Sequence, residues 1–292
     1  MYQRQELSFR SQGTRCAAWL YRPSDNGPHP VVVMAHGIGA VRQVRLPAYA
    51  ERFVARGIAV LCFDYRAWGD SGGTPRYVAN IRAQHEDIHA ALDVAKKLPG
   101  INSGRLALWG TSFGGGHALA VAAERRDLRA VIVQCAVADA RAAAWRAPPA
   151  AIRRWAIAAV RDAGRIALAR SPFYVPLVGD LGSGAVMSES DAEARYRAMI
   201  TEPSPWQNAV AARLFWSLPF YRPIAVAHRI AAPLLALVTD HDEICEGKLQ
   251  TEAARRAGGM ASHYAASHFE IYFGSHFERA VTEMGDFLEG QL

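Results

Sequence analysis

Residues 105–125 read RLALWGTSFGGGHALAVAAER, and their interpretation decides the fold. An apolar run, Arg105–Trp109, meets Gly110-Thr111-Ser112-Phe113-Gly114, and an Ala- and Leu-rich helical pattern follows at once. A serine on so tight a strand-to-helix turn has its hydroxyl pushed above the end of the strand, and glycines two before and two after it let strand and helix approach. The helix N-terminus favours negative charge beside that hydroxyl. The plainer alternative is a Gly-rich turn with an N-capping serine, and the strand before and helix after Ser112 favour the nucleophile.

Working outward, short apolar runs recur at 15–21, 31–35, 58–64, 130–136, 234–239 and 261–266. Helical patterns fall near 45–56, 79–98, 113–125, 246–257 and 275–289. Strands that are apolar on both faces and separated by helices predict a parallel sheet covered on both sides, an α/β fold. The SQGT stretch, residues 11–14, predicts an antiparallel hairpin at the start of that sheet. Residues 138–228 break the rhythm with helical patterns and the aromatics Trp145, Trp155, Phe173, Tyr174, Trp206, Phe215, Trp216, Phe220 and Tyr221. So long an insertion is not a structureless loop. It is expected to form a helical cap subdomain over a core made of 1–137 and 229–292.

A serine nucleophile needs a base and an oxyanion site. His36-Gly37-Ile38-Gly39, after run 31–35, would supply one backbone N–H from Ile38, and Phe113 the other. A neutral imidazole suits the base near pH 7. Of ten histidines, His268 lies after the last strand, where the order serine, acid, histidine puts it. His263 falls within a strand and His276 within the final helix. For the acid, Asp242 lies a few residues beyond strand 234–239, with Asp240 nearer the strand end and Asp139 after strand 130–136 as rivals. His36 is expected to order its loop. Together with Tyr65, His117, Trp145, Phe215 and Trp216 it forms the set expected to line a substrate pocket. Gly37-Ile-Gly39-Ala-Val-Arg42, with Asp64 downstream, imitates a dinucleotide fingerprint, but Arg42 replaces its third glycine.

The remaining features bound the partners. The net charge is +6, but only Lys96, Lys97 and Lys248 are lysines and the arginines are scattered, so no nucleic-acid role is expected. No apolar stretch is long enough for a membrane span, and MYQRQELSFR has no export-signal core, so a cytoplasmic location with no membrane association is expected. Cys16, Cys62, Cys135 and Cys245 lack metal or redox spacing, and neither cofactor nor metal is expected. The oligomeric state is left open, a homodimer being allowed.

At this point AHGIG (35–39), FDYRAWGDSG (63–72), GTSFGGGH (110–117), TDHDEI (239–244) and SHFEIY (267–272) together resemble bacterial α/β hydrolases. The nearest group is the dienelactone-hydrolase-like and polyketide-hydrolase-like esterases. The resemblance spans nearly the whole chain, including Tyr221-Arg222-Pro223. It implies Ser112, Asp242 and His268 as the triad and Ile38 and Phe113 as oxyanion donors. Ala67 stands where a glycine is usual, and Cys245 where a proline commonly follows the acid. The expected activity is hydrolysis of an apolar or aromatic small-molecule ester, lactone or thioester through an acyl-enzyme, without a cofactor. Another bond type (amide or carbon–carbon) and a ligand receptor that keeps the triad without turnover are the alternatives.

Overall fold

A computed structural model describes residues 2–180 and 182–292. The chain opens on a hairpin, β1 (Tyr2–Ser11) and β2 (Thr14–Pro23), paired Ser11 to Thr14. Gln12 and Gly13 both have positive φ, 46° and 79°, the turn whose twist matches the strands it joins. Next come β3 (His29–Ala35), α1 (Leu46–Val54), β4 (Ala59–Phe63), α2 (Ile81–Ala95), β5 (Ile101–Thr111), α3 (Phe113–Ala122) and β6 (Ala130–Gln134). The eight-stranded sheet runs β1-β2-β4-β3-β5-β6 and ends in β11 (Leu234–Thr239) and β12 (Met260–Tyr264). Within this sheet, among the described residues, the β1–β2 and β2–β4 pairings are antiparallel and the β4–β3, β3–β5, β5–β6, β6–β11 and β11–β12 pairings are parallel.

Strands β3, β4, β5, β6 and β11 read as continuous Val, Leu, Ile and Ala because both faces are covered. Helices α1 and α9 (Gly274–Gln291) pack on one face, and α2, α3 and α8 (Gly247–Arg256) on the other. Trp109 and Tyr49, 5.0 Å apart, anchor the α1–α9 side. Parallel strands all end at the same edge, so the loops after β3, β5, β11 and β12 meet there, which is where ligands bind in open α/β sheets.

Between β6 and β11 lie α4 (Ala140–Arg146), α5 (Pro149–Ala167), β7 (Tyr174–Val175), β8 (Val178–Gly179), β9 (Met187–Ser188), α6 (Ala192–Ala198), β10 (Val210–Ala211) and α7 (Leu214–Ser217). Buried Asp162 on α5 knots this insertion. It accepts from Phe173 N at 2.8 Å, Arg213 N at 2.8 Å and Arg213 Nε at 2.8 Å. A bridge from Val44 to Ile200 and a bond from Arg45 N to Met199 O, 3.0 Å, fasten the insertion over the loop after β3.

Two sequence departures find a structural explanation. Ala67 has φ 68°, the left-handed backbone where glycine is unstrained. Arg42 is buried against Asp64, its N–H reaching Asp64 Oδ1 at 2.7 Å and its guanidinium reaching Asp64 Oδ2. The acid of the imitated dinucleotide fingerprint is thus bound within the fold.

Candidate active site

Ser112 joins β5 to α3 with φ 55° and ψ −122°, a conformation a residue with a side chain holds only where its surroundings enforce it. Three main-chain bonds do so: Ser112 N to Gln134 O at 2.9 Å, and Gly116 N and Val137 N to Ser112 O at 3.1 and 3.0 Å. A Cβ at Gly110 would lie 2.2 Å from Gly114 O, and one at Gly114 would lie 2.2 Å from Ala35 O. No side chain fits either place, so the glycine spacing follows directly from the tightness of the turn.

The structure brings Ser112, His268 and Asp242 together in line. His268 Nε2 is 3.0 Å from Ser112 Oγ, and His268 Nδ1 is 2.8 Å from Asp242 Oδ2. All three are buried. Asp242 is tightly held: Oδ2 also accepts from Thr239 Oγ1 at 2.7 Å, while Oδ1 accepts from Ile244 N at 2.9 Å and Cys245 N at 2.6 Å. The rival acids are engaged elsewhere. Asp240 pairs with His263 Nδ1 at 2.7 Å on the surface. Asp139 caps α4 through Ala142 N at 3.2 Å and pairs with Arg222 Nε at 2.8 Å.

Ile38 lies with Ser112 on the wall of one cavity. Its N–H makes no hydrogen bond among the described residues. Phe113 is the first residue of α3, where the N–H has no intrahelical partner. That cavity is small and open at its mouth, and its walls are largely apolar: Val44, Met187, Tyr196, Met199, Phe269 and Tyr272. Met187, Tyr196 and Met199 come from the insertion. None of these six was singled out by sequence. Phe269 and Tyr272 had a signal in their adjacency to His268, whereas the insertion residues had none.

Of the residues expected around the pocket, His36 lines it. Burial pushes the His36 imidazole down to about 4, and its Nδ1 stays with Gly37 O at 2.9 Å. It is neutral at pH 7 and stays bound to its own loop. His117, Tyr65, Trp145, Phe215 and Trp216 lie away from this wall. His117 is fully buried below the elbow, between Gln84 Oε1 at 2.9 Å and Tyr221 OH at 2.8 Å, with Tyr65 packed behind it. Phe215 stacks on Trp155 at 5.2 Å. Trp145 and Trp216 face outward, 76% and 53% exposed. These side chains pack in the core or within the insertion, or face outward.

All four cysteines are free and buried. Cys245 Sγ, Asp242 and His268 each offer a ligand atom within 4.8 Å of the others.

Comparison with known proteins places the chain. A family model described as serine aminopeptidase, S33, matches residues 26–268. The quorum-quenching protein AidA of Acinetobacter baumannii is 41% identical over 285 residues, covering 97% of this chain and 94% of that protein. The thiohydrolase aneE of Aspergillus aculeatus is 27% identical over 296 residues, covering 96% and 91%. The crystal structure of α/β hydrolase GrgF from Penicillium sp. sh18 superposes with a TM-score of 0.85 at 24% identity, covering 99% of each chain. The hypothetical protein PA2218 from Pseudomonas aeruginosa gives 0.84 at 22%, covering 100% of this chain and 94% of that one. At such identities the superpositions speak for the fold.

Proposed function

The chain belongs to the α/β-hydrolase family described as serine aminopeptidase, S33, and on that premise we propose that it hydrolyses an apolar ester, lactone or thioester through an acyl-enzyme on Ser112. The observation that carries the reading is the unbroken line from Ser112 Oγ through His268 to Asp242, with contacts of 3.0 and 2.8 Å. Ser112 Oγ attacks the substrate carbonyl while His268 Nε2 takes its proton, and Asp242 holds the Nδ1–H tautomer and steadies the imidazolium. The N–H groups of Ile38 and Phe113 stabilise the oxyanion. His268 returns the proton to the leaving group, then draws one from a water that hydrolyses the acyl-enzyme.

The acyl group sits among Val44, Met199, Phe269 and Tyr272 in this reading, and residues 138–228 act as a cap that sizes and dries the pocket. Apolar walls suit an acyl chain better than the charged α-amine of an aminopeptidase substrate. A relative that carries the name thiohydrolase supports acyl chemistry. The test is steady-state hydrolysis of p-nitrophenyl esters of rising acyl length by wild type, His268→Ala and Asp242→Asn. Turnover with a chain-length optimum, lost in both variants, is expected. Turnover that survives in His268→Ala would overturn the assignment.

A further inference from the structure

One group beside the triad has no part in the chemistry above: the thiol of Cys245. Its sulfur, a nitrogen of His268 and a carboxylate oxygen of Asp242 all lie within 4.8 Å of one another, and all three residues are buried. A thiol, an imidazole and a carboxylate form a donor set that Zn²⁺ takes, in tetrahedral sites with bonds of about 2.0–2.3 Å. We propose that Asp242, Cys245 and His268 form a site for a thiophilic divalent cation, typified by Zn²⁺, that reversibly switches the hydrolase off. The effect on turnover rests on the hydrolytic reading of the triad, but the binding does not.

Geometry and charge both favour the ion. In a tetrahedral site, bonds of that length separate ligand atoms by roughly 3.3–3.8 Å. His268 Nδ1 and Asp242 Oδ2 stand at 2.8 Å, so an ion between them opens that pair by about half an ångström and draws the sulfur inward. The three outer hydrogen bonds to Asp242, from Thr239 Oγ1, Ile244 N and Cys245 N, hold the carboxylate in place and act as the supporting shell a metal ligand needs. No Lys or Arg side chain bonds to any of the three among the described residues. One carboxylate and one thiolate neutralise a dication, and Ser112 Oγ or a water can take the fourth position.

Binding forms the metal–sulfur bond and releases the thiol proton to solvent. An ion on Nδ1 leaves the remaining ring proton on Nε2, facing Ser112 Oγ, and an ion on Nε2 takes the lone pair itself. Either way His268 has nothing with which to accept the serine proton.

The experiment uses the full chain, stripped with EDTA and titrated with Co²⁺. It reads the thiolate-to-cobalt charge-transfer absorption, with p-nitrophenyl ester turnover followed in parallel. Expected are saturation at one Co²⁺ per chain, displacement by Zn²⁺, loss of turnover with the same stoichiometry, and recovery with EDTA. Cys245→Ser and Cys245→Ala should lose the absorption, and their Zn²⁺ inhibition constants, each measured against the variant's own uninhibited rate, should be at least tenfold above that of the wild type. Cys135→Ser should keep both. No charge-transfer absorption in the wild type, or absorption that persists in the Cys245 variants, would overturn the site. If the absorption forms in a wild type that turns over no ester, the metal site stands and the hydrolytic reading falls.

Discussion

Replacing Asp242 with asparagine changes one atom in a pocket whose hydrogen bonds dictate how the amide must sit. Oδ1 faces two donors, Ile244 N at 2.9 Å and Cys245 N at 2.6 Å, so the amide oxygen takes that side. The amide nitrogen then occupies the Oδ2 position, where Thr239 Oγ1 at 2.7 Å turns its hydroxyl to accept. At the same position it meets His268 Nδ1, 2.8 Å away, which must now be the acceptor. The ring proton moves to Nε2, facing Ser112 Oγ at 3.0 Å, and the base is lost while the fold is kept. The wrong tautomer of a triad histidine costs about 10⁴ in kcat, or about 5 kcal/mol of transition-state stabilisation. Stability should stay within about 1 kcal/mol, because the hydrogen bonds are re-formed rather than orphaned. The assay is kcat on the best p-nitrophenyl ester beside urea unfolding of both proteins. An asparagine variant within tenfold of wild-type kcat would refute the tautomer argument, and so would a loss of activity that merely follows a loss of stability.

Three further outcomes follow from the same structure. Gly114→Ala puts a methyl 2.2 Å from Ala35 O and 2.4 Å from His36 O, so it should destabilise the fold by roughly 1–3 kcal/mol, and calorimetry showing an unchanged Tm would contradict the tight elbow. Met199→Trp should shift the chain-length optimum to shorter esters by filling a wall of the cavity, whereas Trp145→Ala, at a residue 76% exposed, should leave kcat/KM within twofold; the reverse pattern would mean that the substrate lies elsewhere. Burial holds His36 down to about 4 and His117 well below its usual range, so the unfolded chain binds more protons than the folded one between about pH 4 and 6.5. Stability is then full above that window and falls as pH drops through it, by roughly 1.4 kcal/mol per pH unit for each such histidine. Urea midpoints at pH 5 and pH 7 check this, and equal midpoints would contradict it.

How much of this was legible in the sequence depends on whether the information is local. Strands β3, β4, β5, β6 and β11 announce themselves because a strand covered on both faces has to be apolar throughout. The elbow is legible because close approach at Gly110 and Gly114 excludes every other residue type. Asp242 and His268 are placed by the loops that follow β11 and β12. The cavity wall was not legible. Met187, Tyr196 and Met199 belong to short elements of the insertion, and nothing in their local pattern tells which face of that segment settles over the sheet edge. The conspicuous aromatics misled for the same reason: Trp155 and Phe215 stack on each other, while Trp145 and Trp216 turn outward.

The most direct test of the central claim is intact-protein mass spectrometry after treatment with a fluorophosphonate, on wild type and Ser112→Ala. One adduct per chain is expected in the wild type, mapped to the peptide that holds Ser112, and none in the variant. An adduct of equal yield on Ser112→Ala, or a wild-type adduct on another residue, would contradict that claim.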